Sequence, residues 1–232
     1  MYKIVKHMNK IILPFILILL MIGCKSYTES TDYFGQNPPD SIPVIFAPGT
    51  VSLKGRLEHG ISFTPDTREL AFGILNQEDF SGEIFYANKM NEKWTEPVVF
   101  GPLKNESVYL PYFSPNGKSL LFTQSKAGKD NAFTDIWIVE KVKDGWGNPK
   151  IMRAPVNSTS REANACMTSD GTIYFSSNRN CAGKENCHAA DLFYSKLIDN
   201  EYQSVDIIPE FISSNDEESV FISPKGEYII FC

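Results

Sequence analysis

The chain has 232 residues, of which 42% are hydrophobic and 22% are charged, and these proportions are those of an ordinary globular protein. Its formal net charge of −6 argues against a nucleic-acid partner, because phosphate recognition needs a basic face. Five cysteines are too few for a scaffold that is held together mainly by disulfides.

The first 23 residues have the pattern of a secretory signal. Lys3, Lys6 and Lys10 precede "IILPFILILLMI", a twelve-residue run that is apolar apart from Pro14. This run is shorter than the roughly 20 residues that a membrane-spanning helix needs. We therefore predict a signal peptide over residues 1–23.

"MIGC", which ends at Cys24, resembles the bacterial lipobox. The resemblance implies cleavage after Gly23 and a lipid on Cys24, and the alternative is an ordinary signal peptide followed by an incidental cysteine. Residues 24–41 are polar, carry two adjacent prolines and are typical of a flexible tether. We expect a folded domain that is held near a membrane of the cell envelope, on the periplasmic or outer-membrane face.

One phrase occurs four times in the remainder of the chain. The copies are "SFTPDTRELAF" from Ser62, "YFSPNGKSLLF" from Tyr112, "CMTSDGTIYF" from Cys166 and "FISPKGEYIIF" from Phe221. Each copy places a turn between two extended stretches and so predicts a β-hairpin. Glycine is the fourth turn residue in three copies, whereas the first copy has Thr67 there. Since a β-branched residue resists positive φ, we expect a wider or differently typed turn at Thr67.

Further elements recur after each of the first three hairpins. An acidic, an aliphatic and an aromatic residue come in succession, and a lone aromatic follows ten residues after the aliphatic one. These elements are Glu83-Ile84-Phe85 with Trp94, Asp135-Ile136-Trp137 with Trp146, and Asp191-Leu192-Phe193 with Tyr202. Each period of 50 to 55 residues thus holds four short strands, which is the pattern of a β-propeller blade. The repeated aromatics are expected to pack between blades.

The hairpin phrase, followed by Asp-Ile-Trp in the second copy, resembles the WD40-like repeat of TolB-type β-propellers. The resemblance covers roughly residues 41–232 and is strongest in the second copy. It implies an all-β propeller, commonly of six blades, in a periplasmic or outer-membrane protein. It also implies binding more often than catalysis, although some members of the family precede peptidase domains.

The repeats predict about three and a half four-stranded antiparallel blades, over residues 42–103, 104–156, 157–212 and, in part, 213–232. The segment Pro43–Ala47 is a candidate for one additional outer strand. Two alternatives follow, because a closed ring needs its last blade to meet its first. Either the chain is a piece of a longer, six-bladed propeller, or it forms a compact four-bladed ring that the N-terminal strand closes.

Three glutamates occupy one repeat position, seven residues before the second residue of the turn. They are Glu58, Glu162 and Glu217, and Val108 takes the place in the second copy. An acidic ring at the channel mouth would bind a cation or a basic peptide. Alternatively, each carboxylate accepts backbone N–H groups where a loop enters its strand, and we favour this interpretation.

Two loops between second and third strands carry matched cations, in "SKAGKD" and "RNCAGKE". Lys126, Lys129, Arg179 and Lys184 would bind an anionic ligand or an acidic partner there. Alternatively, these are ordinary turn and solubility residues. In the second of these loops Cys181 and Cys187 are six residues apart, and in an oxidising compartment they would form a disulfide.

No catalytic motif stands out in the chain. A G-x-S-x-G elbow, a P-loop and an EF-hand pattern are absent, and His59 and His188 lack H-E-x-x-H spacing, so no catalytic residue, metal site or cofactor is indicated. We expect an envelope lipoprotein whose propeller binds a protein, peptide or glycan. The competing classes are a glycan-active enzyme, the propeller of a peptidase that lacks its catalytic domain here, and a purely structural envelope protein.

Overall fold

The computed structural model describes residues 32–37, 40–125, 133–181, 189–211, 213 and 215–232. The predicted signal peptide and Cys24, the predicted site of lipidation, lie outside these residues. Within the described part, no helix has the length and the apolar character that crossing a bilayer requires.

The described chain is built almost entirely from β-strands. They are β1 Leu57–Phe63, β2 Glu69–Leu75, β3 Gly82–Met90, β4 Lys93–Trp94, β5 Val98–Val99, β6 Val108–Phe113, β7 Ser119–Ser125, β8 Thr134–Val142, β9 Gly145–Trp146, β10 Lys150–Ile151, β11 Glu162–Met167, β12 Ile173–Ser177, β13 Asp191–Ile198, β14 Glu201–Ile207, β15 Phe221–Ile222 and β16 Ile229–Ile230. Short 3-10 helices span Asp32–Gly35, Gly101–Leu103, Arg179–Cys181 and Pro209–Phe211.

The strands form four antiparallel sheets that follow the four copies of the sequence phrase. The first sheet contains β1 to β5, the second β6 to β10, the third β11 to β14, and the fourth the hairpin β15–β16. In each of the first three sheets, the first three strands pair in chain order. The predicted all-β architecture of three four-stranded blades and a partial fourth is therefore confirmed.

The outermost strand is divided in two blades and continuous in the third. β4 and β5 both pair with β3, and β9 and β10 both pair with β8. Pro97 and Pro149 lie in the two gaps, and a proline has no N–H to donate to the neighbouring strand. The third copy has Val205 at this position, which pairs with Ser195 within the unbroken β14.

The four hairpin turns close in the same way, and the prediction for Thr67 was wrong. Its N–H donates to the Thr64 carbonyl oxygen over 2.8 Å, the same distance as from Gly117 to Ser114 in the second copy. Thr67 adopts a left-handed φ of 54° to make this bond. The turn is also tied by the Thr64 hydroxyl, which donates to Asp66 Oδ1 over 2.7 Å. These bonds hold the threonine in a conformation that its side chain disfavours.

Apolar clusters between successive sheets hold the blades together. Ala71 and Ile84 of the first blade pack against Leu120 and Phe122 of the second. Further clusters join the second blade to the third and the third to the hairpin β15–β16. Trp146 lies in the first of these boundaries, with its ring centroid 5.3 Å from that of Phe100. The repeated aromatics of the second and third copies thus pack between blades, as predicted, whereas Phe85 and Trp94 of the first copy pack against the segment that precedes β1.

The other face of the first blade is covered by residues that precede β1. Phe34 stacks on Trp94 with 4.6 Å between ring centroids, and Phe46 and Ala47 join the same cluster. Pro43–Ala47 is therefore not the outer strand that the sequence suggested. The Gln36 side chain donates to its Ile45 carbonyl oxygen and accepts from its Ala47 N–H, and the Ala47 carbonyl oxygen accepts from the Val51 N–H over 2.9 Å. Residues 32–36, at the end of the predicted tether, lie against the blade because Phe34 is apolar.

Candidate binding site

The first strands of the blades lie side by side, β1 beside β6 and β6 beside β11. Each carries one residue with left-handed backbone, five positions before the second residue of the following turn. These residues and their φ values are Gly60 at 51°, Leu110 at 55°, Asn164 at 55° and, just before β15, Ser219 at 53°. The pairing register shifts there in the first three sheets. The bulge therefore re-aims the side chains at the start of each first strand.

A cavity of about 640 Å³ opens where the first strands of three blades begin. We call this end of the propeller the cavity face and the opposite end, with the four hairpin turns, the turn face. The apolar part of the cavity wall is formed by Leu75, Phe80, Leu110 and Ala163. The volume is that of a site for a small organic group.

Phe80 lies at the rim of the cavity, on the loop that joins β2 to β3. Its side chain is 58% exposed and its φ is 57°, an unfavourable value for an aromatic residue. Tyr109 of the second blade fixes this conformation, because its hydroxyl donates to the Phe80 carbonyl oxygen over 2.9 Å. Ser107 Oγ lies 2.6 Å from the same hydroxyl. Strained, over-determined backbone of this kind is typical of binding sites.

Tyr109 reaches the first blade because Gly82 has no side chain. A Cβ at Gly82 would lie 2.5 Å from the tyrosine ring. His59 depends on a glycine in the same way, since a Cβ at Gly73 would lie 2.3 Å from its Cε1. The two rings are 6.2 Å apart. The aromatic wall of the cavity therefore requires both glycines.

The His59 imidazole is held between the blades in its neutral form. Burial lowers its pKa from the usual value, because a charged ring would lose its hydration. Its Nε2 atom is buried and has no hydrogen-bond partner among the described residues. The ring can therefore gain a proton only at a cost in stability.

The two charged groups of the cavity that the structure describes make bonds within the protein, Arg161 to a carboxylate and Asp79 to a neutral serine. Arg161 contacts Glu218 of the partial fourth blade through a hydrogen-bonded ion pair. Asp79 Oδ1 accepts from the backbone N–H and the hydroxyl of Ser81, over 2.9 and 2.7 Å. These bonds lower the pKa of Asp79 and keep it ionised.

The three repeat glutamates lie at the same end of their blades but in different surroundings. Glu58, before the first bulge, bonds Arg56 Nε over 2.6 Å and the Leu53 N–H over 3.1 Å. Glu217 is 4% exposed and accepts from Ser213, and its Oε2 atom has no partner among the described residues.

Glu162 is fully buried. It accepts bonds from the Ser158 N–H, from the hydroxyls of Ser158 and Ser177, and from Arg179. These contacts are those of a carboxylate that joins a loop to a strand, as we favoured from the sequence. They do not support the alternative of an open acidic ring that binds a cation or a basic peptide.

Arg179 is directed inward. Its guanidinium bonds the Val156 carbonyl oxygen over 2.6 Å and lies 5.0 Å from the centre of the Phe175 ring. Lys126, Lys129 and Lys184 lie outside the described residues, so the cationic surface that they would form stays a prediction. Cys181 is disulfide-bonded. Cys187 lies outside the described residues, so the pairing of these two cysteines also stays a prediction.

Sequence reasoning missed the cavity and its rim. A signal for the rim was present, because Phe80 is the one aromatic residue in the polar loop "NQEDFSG". No sequence signal places Tyr109 against this loop, since the two residues belong to different repeats. Among the described residues, no three His, Cys, Asp or Glu side chains converge as a metal site would require.

A comparison with solved structures finds partial similarity to several proteins. It is similar to TolB from Acinetobacter baumannii, with 21% identity and a TM-score of 0.49, over 76% of this chain and 37% of that one. A candidate TolB from Agrobacterium tumefaciens gives 17% identity and a TM-score of 0.49, over 78% and 71% of the two chains. A puromycin-hydrolyzing peptidase from Mycobacterium tuberculosis gives 12% identity and a TM-score of 0.49, over 75% and 25%.

The chain thus spans 37% of the Acinetobacter baumannii protein. No family model matches the chain, and no curated protein matches it. The architecture itself rests on the sheets and blade boundaries described above.

Proposed function

We propose that the protein is a binding module of the cell envelope that recognises another polypeptide with its cavity face. The observation that carries this proposal is Phe80, an exposed aromatic side chain held in left-handed backbone at the rim of a largely apolar cavity. An exposed apolar group beside a preformed pocket is typical of an anchor point in a protein interface.

The anchor belongs to the same proposal. A lipid on Cys24 would keep the propeller at a membrane, and the predicted tether after it would let the propeller move some distance from the membrane surface. Metabolic labelling with a radioactive fatty acid tests this step. We expect the wild-type chain to be labelled and the Cys24→Ala variant to remain unlabelled, and label on the variant would contradict the anchor.

Site-specific photo-cross-linking tests the recognition face. A benzophenone amino acid replaces Phe80 on the cavity face or Lys118 on the turn face, each in the full chain in its native cells. We expect adducts of discrete mass from position 80 and none from position 118. Adducts of equal strength at both positions, or none at position 80, would contradict the proposed face.

A further inference from the structure

The cavity wall offers few free polar atoms to a ligand. The Thr134 hydroxyl donates to the Glu162 carbonyl oxygen over 2.8 Å, and Thr123 Oγ1 accepts from the Asn164 N–H over 3.3 Å. The Tyr109 hydroxyl donates to the loop of the first blade. Apart from His59, whose buried Nε2 atom has no hydrogen-bond partner among the described residues, Thr123, Thr134 and Tyr109 are thus used to join β7 and β8 to β11 and the second blade to the first.

The charges of the wall are used within the protein as well. Arg161 is held by Glu218, and the two side chains are 26% and 30% exposed. Asp79, at the rim, is held by Ser81. An acidic ligand would therefore lose hydration on entering and find, among the described residues of the wall, only a guanidinium that Glu218 already neutralises. A cationic ligand would lose hydration as well, and the ionised Asp79 is solvent-exposed, so its attraction for a cation is weak.

The remaining wall is apolar and opens to solvent beside Phe80. An open mouth admits a side chain whose backbone stays outside, and an aromatic side chain gains most from apolar walls because it buries the largest area. On the basis of the proposed function, we infer that the cavity receives an uncharged aromatic side chain of the partner polypeptide, packed against Phe80 and Leu110.

Binding of capped amino acids to the full chain tests this inference. N-acetylphenylalaninamide, N-acetylglutamate amide and N-acetyllysinamide are compared at millimolar concentration by the shifts of backbone amide signals. We expect the phenylalanine probe to bind at least about fivefold more tightly than either charged probe, with shifts at Phe80 and Leu110. Equal affinities, or tighter binding of a charged probe, would overturn the inference. Binding of toluene without the phenylalanine probe would also overturn it, since the cavity would then take free compounds.

The variant Glu218→Gln tests why charge is rejected. It releases Arg161, so we expect the glutamate probe to gain at least about threefold in affinity while the phenylalanine probe is unaffected. Glu92→Gln is the matched control, because it removes an exposed carboxylate that pairs with Arg68 away from the cavity. No gain in Glu218→Gln, or an equal gain in both variants, would overturn this explanation.

The two proposals fail separately. If cross-links form at position 80 but the phenylalanine probe does not bind, the aromatic ligand is wrong and the recognition face stands. If the probe binds but no cross-link forms in cells, the cavity is selective and the proposed function is wrong.

Discussion

The hydroxyl of Tyr109 donates a 2.9 Å hydrogen bond to the carbonyl oxygen of Phe80 and so joins β6 of the second blade to the β2–β3 loop of the first. The bond spans 29 positions in the sequence. It holds an aromatic residue in a backbone conformation that aromatic residues disfavour. The shape of the cavity rim therefore depends on how two neighbouring blades dock.

Removal of that hydroxyl should loosen the rim. We expect Tyr109→Phe to lower the free energy of unfolding by about 1–2 kcal/mol, because the Phe80 carbonyl loses its donor and Ser107 loses a partner. Urea denaturation measures this loss. Hydrogen exchange at the Phe80 N–H, which bonds Asn76, should become faster. Tyr228→Phe, at an exposed residue, is the control, and an equal loss there would contradict the prediction.

The first hairpin turn should be improved by glycine. Thr67→Gly removes the strain of a β-branched residue at positive φ, and we expect a gain of about 0.5–1 kcal/mol in the free energy of unfolding. The reverse exchange in the second turn, Gly117→Thr, should cost about 1–2 kcal/mol. Thermal unfolding of both variants checks the pair. A loss of stability in Thr67→Gly would show that the side chain of Thr67 contributes more than its strain costs.

The repeat glutamates should differ in their effect on stability. We expect Glu162→Gln to cost about 3 kcal/mol, because the amide would place a donor among four donors and leave the Arg179 charge without its carboxylate. Glu58→Gln, at a partly exposed ion pair, should cost less than about 1 kcal/mol. Equal losses in urea denaturation would contradict the structural role of Glu162.

His59 should make the protein less stable in mild acid. Because burial lowers its folded-state pKa, the unfolded chain binds more protons at this site. Stability is therefore fully present above the unfolded pKa of about 6.5 and falls as the pH drops toward the lower, folded value. We expect the wild type to lose more stability than His59→Gln between pH 7 and pH 5, measured by urea denaturation. Parallel pH profiles would contradict this assignment.

The carboxylates titrate at lower pH than His59, so their effects on stability can be told apart from that of the histidine. The pKa values of Asp66 and Asp170 are lowered, mainly by the hydrogen bonds that Thr64 and Thr168 donate to them. The contribution of these carboxylates to the free energy of unfolding is therefore lost only in stronger acid. The wild type and His59→Gln both carry these aspartates, so a loss of stability that appears only below about pH 4, and equally in both proteins, would come from them and not from His59.

The sequence by itself determined the blades. Hairpin turns, alternating apolar residues and the prolines at 97 and 149 are local signals, because each acts on the backbone within a few residues. The four copies of the phrase consequently predicted the four sheets. Thr67 shows the limit of a rule based on one residue's preference, since hydrogen bonds within the turn hold it in a conformation that its side chain disfavours.

Only the tertiary structure decided where the cavity lies and what covers the first blade. Tyr109 meets Phe80 and Arg161 meets Glu218 because neighbouring sheets pack side by side, and Phe34 meets Trp94 because the segment before β1 folds onto the first blade. Each pair joins different repeats or a repeat to its flanking segment. Packing between elements far apart in sequence does not affect the residue spacing within either element. The repeat pattern therefore predicted the blades but did not locate the binding site between them.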